Sequence, residues 1–405
     1  MQFRNVTLAN GLEIIAEINP AAFSLSLGYF VKTGARDETP ELAGVSHFLE
    51  HMMFKGTPTR TSQQVNQELD DLGSQSNAYT SEEQTVYYMS VLPEYQARAI
   101  DLLSDMMRPT LHEEDFEMEK QVIIDEIAMY DDQPPYGAME RAMEEYFQDH
   151  PLSRRILGTR ETVGGMSATA MRAYHQSRYA PNNVTLVACG AVDFDALVED
   201  AKRLTQNWEP SDSPRSLVAP IVRDADITMI HLPATQAYSL QYSAGAGYHE
   251  ESRHAYRLLS YILGDDSGSR LFWELVDKGL ADAAFNFTQE YEDCGLYCSY
   301  MSCAPEMREA NWERLMDIMG SAQKNPVQDR EVALAKNKVN AGIILGSERP
   351  GNRLFTLGNV WLNRRCYETV AQSTDKYQRV TKEEIQEAFV AVSNRKNVNV
   401  TVLPE

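Results

Sequence analysis

The chain has 405 residues, of which 43% are hydrophobic and 24% charged, and this length and composition favour a soluble globular protein with two domains. Its net charge of −22 argues against binding to nucleic acid or to anionic membranes, because those surfaces attract Lys and Arg. The absence of an 18-residue apolar run argues against a transmembrane helix, and five cysteines are too few for a disulfide scaffold.

The first half of the chain reads as alternating strands and helices. Residues 1–5 lack the charged start and apolar core of a secretory signal, which predicts a cytoplasmic protein unless a leader has been removed. Residues 6–8 and 12–15 are β-prone and flank Asn10 and Gly11, a pair typical of a two-residue hairpin turn. Periodicity, caps and stop residues predict further strands over 23–32, 76–80, 84–92 and 179–192, and helices over 42–54, 62–72, 93–107 and 113–130.

A linker, residues 208–224, separates two halves with related patterns. It carries three prolines and three serines and has little periodicity. Residues 22–27 resemble residues 237–242, and each run leads through glycines into a predicted helix. We therefore expect an α+β fold with two homologous domains, residues 1–207 and 225–405, each an antiparallel-rich sheet covered by helices.

The helix predicted over residues 42–54 carries two histidines and a glutamate at a spacing that suits a metal. His47, Glu50 and His51 stand at positions i, i+3 and i+4, so they share one helix face. Two such imidazoles can bind one zinc ion, and a carboxylate that is not a ligand can take a proton from metal-bound water. The alternative is an accidental pairing on a solvated face, but the intervening residues are apolar, which favours the metal site.

A catalytic zinc ion takes a third protein ligand, and the long helix predicted over 113–130 offers candidates. Glu119 and Glu126 are two helical turns apart and therefore lie on the same face. One of them can bind the metal while the other orients a ligand. The spacing alone does not separate these two residues from the other glutamates of the helix.

The metal motif belongs to a longer block, residues 47–57, with the sequence HFLEHMMFKGT. Three further blocks follow at 77–85 (NAYTSEEQT), 119–127 (EKQVIIDEI) and 150–159 (HPLSRRILGT). Together they resemble the inverted-zincin metallopeptidases, the group of pitrilysin and the mitochondrial processing peptidase, whose signature is H-x-x-E-H. The resemblance covers most of the first half and is weaker in the second. It implies a zinc-dependent endopeptidase that hydrolyses unfolded peptides or small proteins.

This resemblance assigns roles to the polar residues of the two helices. It implies that Glu126 is the third zinc ligand beside His47 and His51. It also implies that Glu50 is the catalytic base and that Glu119 is a supporting residue of the catalytic centre.

The resemblance also implies a binding mode for the substrate. In the family, the peptide lies as an added strand beside an edge strand near the zinc, and the matching segment here is Asn77, Ala78, Tyr79 and Thr80. Backbone pairing of this kind is compatible with a loose sequence preference, because main-chain hydrogen bonds do not depend on side chains. From its residues alone, the segment reads as an ordinary sheet strand.

One block of the second half departs from the family pattern. Active members carry an Arg and a Tyr there that reach the substrate carbonyl, whereas this chain has Val276 and Asp282 and lacks one residue before Gly279. Members of this length pair into a closed clamshell, so the resemblance implies a dimer, with a related subunit as the source of the Arg and Tyr. Three alternatives stay open: a peptidase completed by a related subunit, a self-sufficient homodimeric peptidase, and a non-catalytic scaffold subunit.

Overall fold

The computed structural model describes residues 1–230 and 234–405. The elements of the first half are β1 (Gln2–Thr7), β2 (Glu13–Ile18), β3 (Leu25–Val31), α1 (Val45–Met52), α2 (Ser62–Asp71), β4 (Gln75–Thr80), β5 (Thr85–Val91), α3 (Gln96–Met106), α4 (Glu113–Asp131), α5 (Pro134–Phe147), α6 (Arg160–Gly165), α7 (Ala168–Arg178), β6 (Val184–Gly190) and α8 (Phe194–Thr205). Those of the second half are β7 (Ala225–Ile230), β8 (Ala237–Ala244), α9 (Arg253–Gly264), β9 (Ala283–Glu290), β10 (Gly295–Cys303), α10 (Arg308–Met319), α11 (Asp329–Ser347), α12 (Pro350–Arg364), α13 (Val370–Arg379), α14 (Lys382–Ser393) and β11 (Asn397–Leu403). Within the described ranges, none of the helices is long and apolar enough to cross a membrane.

The strands form two sheets with matching strand orders. The first sheet runs β1-β2-β6-β3-β5-β4, and the second runs β7-β11-β8-β10-β9. Without β1, the two orders correspond strand by strand. Each sheet has one parallel pair, β2 with β6 or β7 with β11, and its other neighbours are antiparallel. The predicted α+β fold with two related, antiparallel-rich sheets is therefore confirmed.

Each of the two compact units contains a helix from the other half of the chain. Helix α12 packs on β3 and β6 of the first sheet, and α5 packs on β8 and β11 of the second. The boundaries of the units therefore differ from those of the predicted domains 1–207 and 225–405. A sequence pattern locates a helix without showing which sheet the helix covers, so this exchange had no signal in the sequence. The first unit comprises Met1–Ile127, Arg154–Ser216 and Gly346–Glu368, and the second comprises Ala128–Ser153, Leu217–Leu345 and Thr369–Glu405.

Helix α12 fits closely and specifically against the first sheet. A Cβ atom at Gly358 would lie 2.3 Å from the ring of Phe30, so the helix backbone itself contacts that ring. Beside this contact, Arg353 donates two hydrogen bonds of 2.7 Å to the buried carboxylate of Glu17, and Tyr367 donates a third of 2.7 Å. Burial opposes the ionisation of Glu17, but these hydrogen bonds lower its pKa below the ordinary value. Helix α12 is therefore held on the sheet by a buried ion pair that is surrounded by apolar side chains.

The first hairpin forms, but the predicted two-residue turn is wrong. Thr7 pairs with Glu13, so a longer connection joins β1 to β2. Within it, Leu12 is fully buried, and the side chain of Asn10 donates a 2.8 Å hydrogen bond to the carbonyl of Thr205. These tertiary contacts override the local preference of the Asn-Gly pair.

The predicted linker, residues 208–224, contains no helix or strand, and its first part is anchored to the first unit. Arg215 forms a 2.7 Å ion pair with Asp37 and donates a 2.5 Å hydrogen bond to the carbonyl of Glu83. The side chain of Arg215 is only 4% exposed. This part of the linker is thus a structural component of the unit that carries the histidine pair.

Candidate metal centre

Helix α1 starts later than the periodicity predicts. The predicted helix over 42–54 is broken at Gly44, which has φ +94, and α1 proper spans Val45–Met52. A Cβ atom at Gly44 would lie 2.5 Å from the carbonyl oxygen of Leu157, so this position needs both glycine's freedom and its small size. The break sets the direction in which the short helix points.

The two faces of α1 have different roles. Phe48 and Leu49 are fully buried in the hydrophobic core beneath the first sheet. The opposite side carries His47, Glu50 and His51, as the spacing predicts. The apolar face therefore fixes the helix, and the polar face is directed toward α4 and β4.

A buried carboxylate supports the start of this helix. Glu38 is 4% exposed, and it accepts hydrogen bonds of 2.7 Å from the backbone N–H groups of Gly44 and Ser46. Burial raises the pKa of Glu38 to about 8, although these hydrogen bonds oppose the shift. The oxygens of Glu38 thereby satisfy two backbone N–H groups at the start of the helix that have no partner within it.

Three possible metal donors meet between α1 and α4. One ligand atom each from His47, His51 and Glu126 lies within 4.8 Å of the others. His47 Nε2 is 3.9 Å and His51 Nε2 is 3.7 Å from the same carboxylate oxygen, Glu126 Oε2. In the part of the chain that the structure describes, no other group of three His, Cys, Asp or Glu side chains converges in this way. Two imidazoles and one carboxylate are a donor set that catalytic zinc uses.

The electrostatics of these donors fit a divalent cation. Burial, together with the nearby His51, lowers the pKa of His47 to about 3, so its ring is neutral at neutral pH, as metal binding requires. Its Nδ1 atom is buried and has no hydrogen-bond partner among the described residues, so only its Nε2 faces polar neighbours. For His51, burial is outweighed by the hydrogen bond that its ring donates to Glu119 and by the charge of Glu126, which raise its pKa. The carboxylates of Glu119 and Glu126 both lie beside the histidine pair, and their negative charge favours the binding of a cation there.

Glu119 holds one of the donors from outside the cluster. Its Oε1 is 2.9 Å from His51 Nδ1, and its Oε2 is 2.5 Å from Lys55 Nζ. Burial opposes ionisation of Glu119, but the bonds to His51 and Lys55 lower its pKa. A carboxylate on the far nitrogen of a metal-binding imidazole fixes its tautomer and orientation. The sequence reasoning missed Lys55, whose signal was its place in the 47–57 block.

Glu50 lies beside the donor cluster without belonging to it. The Thr80 hydroxyl donates a 2.5 Å hydrogen bond to its Oε2. Burial raises the pKa of Glu50 above the ordinary value, partly offset by this hydrogen bond and by His51. The contact with Thr80 engages Oε2 only, and a carboxylate with a raised pKa suits a proton acceptor.

The predicted substrate segment forms an open edge of the first sheet, but its four side chains are divided between two faces. Ala78 packs against the core below α1, and Thr80 contacts Glu50. Tyr79 points to the opposite face, where its ring is 5.9 Å from that of Phe355. The side chain of Asn77 accepts a 2.9 Å hydrogen bond from the N–H of Ala78. The backbone of β4, more than its side chains, is therefore the shared feature of this segment.

The two residues that depart from the family pattern lie in the second unit. Val276 ends a π-helical turn, Phe272–Val276, and packs against the core of that unit. Asp282 precedes β9 and accepts a 2.9 Å hydrogen bond from the side chain of Gln236. A valine side chain has no hydrogen-bond donor, and a carboxylate accepts hydrogen bonds without donating them, so neither replaces an oxyanion donor.

Two family models match the chain. Residues 13–160 match the insulinase family, peptidase family M16, and residues 165–339 match the peptidase M16 inactive domain. An uncharacterized zinc protease of Mycobacterium tuberculosis is 31% identical over 389 residues, covering 94% of this chain and 89% of that protein. An uncharacterized zinc protease of Bacillus subtilis is 30% identical over 357 residues, covering 88% of this chain and 87% of that protein.

Solved structures show the same fold. A protease from Helicobacter pylori superimposes with a TM-score of 0.91 at 19% identity and covers 100% of this chain and 99% of its own. A peptidase M16 inactive domain from Pseudomonas fluorescens superimposes with a TM-score of 0.89 at 18% identity and covers 100% and 98%. At these identities the likeness concerns the fold alone.

Proposed function

Since this chain belongs to peptidase family M16, the insulinase family, we propose that it is a zinc-dependent endopeptidase. The observation that carries the proposal is the convergence of His47, His51 and Glu126, with Glu50 beside them and outside the donor set. A set of three protein ligands with a separate carboxylate is what a hydrolytic zinc centre requires. The names of the relatives agree with this chemistry.

Each polar residue then has one task. Zinc held by the three donors would polarise the substrate carbonyl and lower the pKa of a bound water. Glu50 is placed to accept a proton from the attacking water and to pass it to the leaving amine, and its raised pKa suits both directions of transfer. Glu119 and Lys55 keep the His51 ring in the orientation in which Nε2 faces Glu126.

We place the substrate along the open edge of β4. An extended peptide added there as a further antiparallel strand would use backbone hydrogen bonds and would accept many sequences. The contact between Thr80 and Glu50 supports this choice, because it sets the base at the end of that edge. Folded proteins offer few free extended segments, so unfolded peptides and small proteins are the expected substrate class.

We further propose that a related subunit completes the site. The second unit has an apolar Val276 and an acidic Asp282 where active relatives carry hydrogen-bond donors for the substrate carbonyl. One missing oxyanion donor typically lowers turnover by about 10²–10³-fold. A partner that retains the Arg and Tyr would restore this stabilisation.

A peptide-cleavage assay with metal analysis tests the proposal. The purified chain should bind about one zinc, His51→Ala should lose it, and cleavage of an unfolded fluorogenic peptide should rise by orders of magnitude when a related subunit with the Arg and Tyr is added. Fast cleavage by the chain alone would favour a self-sufficient homodimer. A chain that binds no zinc and cleaves nothing with any partner would favour a scaffold role and contradict the proposal.

A further inference from the structure

Thr80 makes a contact that the role of an ordinary edge-strand residue does not explain. Its Oγ1 is 2.5 Å from Glu50 Oε2, and the two residues belong to different elements. Ionised carboxylates accept hydrogen bonds and do not donate them, so the hydroxyl is the donor. One Glu50 oxygen is thus engaged from the strand side.

The backbone around Thr80 is held firmly. The next residue, Ser81, donates a 2.8 Å hydrogen bond to the carbonyl of Gln84 and accepts one of 3.2 Å from the N–H of Ala35. Arg36 forms a buried 2.7 Å ion pair with Glu83 in the same turn. Because the side chain of threonine is stiff at χ1, a fixed backbone also fixes its hydroxyl.

The register of the hairpin shows where the main chain of Thr80 points. Ser81 bonds to Gln84 through its backbone, so the next pair, Thr80 with Thr85, is a non-hydrogen-bonded pair of the antiparallel ladder. The N–H and C=O of Thr80 are therefore directed to the open edge, where an added strand would lie. Ala78 obeys the same alternation, since its N–H bonds to the Asn77 side chain instead of to β5.

We infer that Thr80 is a positioning residue for the base. Its hydroxyl engages one carboxylate oxygen of Glu50, and its backbone belongs to the edge that would receive the peptide. The inference rests on the proposed function and adds a link between strand binding and the base. Without the hydroxyl, the Glu50 carboxylate loses this restraint on its orientation.

Thr80→Val and Thr80→Ser test the inference, because valine keeps the shape without the hydroxyl and serine keeps the hydroxyl. Thr228→Val, at an exposed threonine of edge strand β7, controls for the substitution itself. Each variant is loaded with zinc and assayed for metal content and for kcat and KM on a fluorogenic peptide in the presence of the related subunit. The Kd of a simple hydroxamic acid, which chelates zinc and gives its proton to a nearby carboxylate, is measured on the same variants.

We expect Thr80→Val to retain zinc, to lose about 10–100-fold in kcat with little change in KM, and to bind the hydroxamate more weakly by a similar factor. Thr80→Ser should restore both quantities to within a few-fold, and Thr228→Val should match the wild type. Unchanged hydroxamate affinity in zinc-loaded Thr80→Val, or a loss confined to KM, would overturn the positioning role. If the wild type binds neither zinc nor hydroxamate, the proposed function fails first, and this inference fails with it.

Discussion

Helices α1 and α9 occupy corresponding places in the two units, yet α1 carries possible metal donors and α9 serves packing alone. Each follows a central strand of its sheet, β3 or β8, and lies against an edge strand, β4 or β9. Helix α1 meets β4 through a polar contact, the hydrogen bond from Thr80 to Glu50. Helix α9 meets β9 through its backbone, because a Cβ atom at Gly264 would lie 2.4 Å from the N atom of Asn286.

The difference shows what a metal centre demands of this scaffold. Helix α9 has no carboxylate, and most of its residues are buried. Helix α1 is shorter and leaves the side chains of His51 and Glu126, on α4, 27% and 23% exposed. Clustered polar groups do not contribute apolar burial, so a site of this kind is tolerated where the rest of the unit supplies the stability.

The largest effect in this comparison should come from removing the base. Glu50→Gln should lower peptide hydrolysis by about 10²–10⁴-fold, because the amide cannot accept a proton, while zinc binding is retained. Steady-state kinetics in the presence of the related subunit measure the first quantity, and metal analysis of the same variant measures the second. Glu113→Gln, at an exposed position of α4, is the matched control and should match the wild type. Normal hydrolysis by Glu50→Gln would show that Glu50 is not the base and would contradict the proposed catalytic role of α1.

Replacing Glu119 and replacing Glu126 on α4 should weaken zinc binding to different extents. Glu119→Gln loses the charged partner of His51 and Lys55, which should cost about 10–100-fold. Glu126→Gln loses a donor of the cluster and should cost more. Competition titration with a chelator gives both constants. The reverse order would mean that the two glutamates have exchanged roles.

These two helices also show what a sequence can and cannot reveal about such a site. The shared face of His47, Glu50 and His51 was predictable because helical periodicity is local. Choosing Glu126 over Glu119 required the family resemblance, since the choice depends on how α4 lies against α1.

Other parts of the site depend on contacts that no local pattern encodes. The bond between Thr80 and Glu50 spans 30 residues, and the break at Gly44 arises from the approach of Leu157. The placement of α12 on the first sheet had no signal either, because its apolar face is compatible with any sheet. The positions of the helices and strands in the sequence were therefore easier to predict than the elements against which they pack.

On the packing side of the comparison, Gly264→Ala should destabilise the protein by about 1–3 kcal/mol, because the added methyl group meets the backbone of Asn286. Zinc content should not change, since α9 carries none of the donors. Gly342→Ala on α11 is the control: its Cβ atom would have no neighbour within 4 Å, and alanine favours a helix. Urea unfolding measures the stability of both variants. Equal urea midpoints for Gly264→Ala and Gly342→Ala would contradict the close contact between Gly264 and Asn286.

The smallest effect concerns the start of α1 and is visible in its pH dependence. The folded-state pKa of Glu38, about 8, lies above that of an unfolded glutamate, about 4.3, although Arg154 opposes the shift. The folded protein therefore binds an extra proton between these values, and the contribution of Glu38 to stability declines as the pH rises through this window. In the wild type, the thermal unfolding midpoint should fall as the pH rises from about 5 to 8, and in Glu38→Gln this fall should be smaller. Exposed Glu94→Gln should leave the slope unchanged, and identical slopes in both variants would refute the assignment.

The exchange of α5 and α12 has a consequence for how the protein is made. The outer face of the first sheet carries Ile15, Phe30, Val86 and Val187, all fully buried, and the helix that covers them spans Pro350–Arg364. A ribosome makes the strands first, so this apolar face waits for cover until almost the whole chain has been synthesised. During that interval the uncovered apolar face is prone to aggregation, the kind of exposure against which chaperones act. A truncated gene product ending in the linker would keep that face exposed permanently.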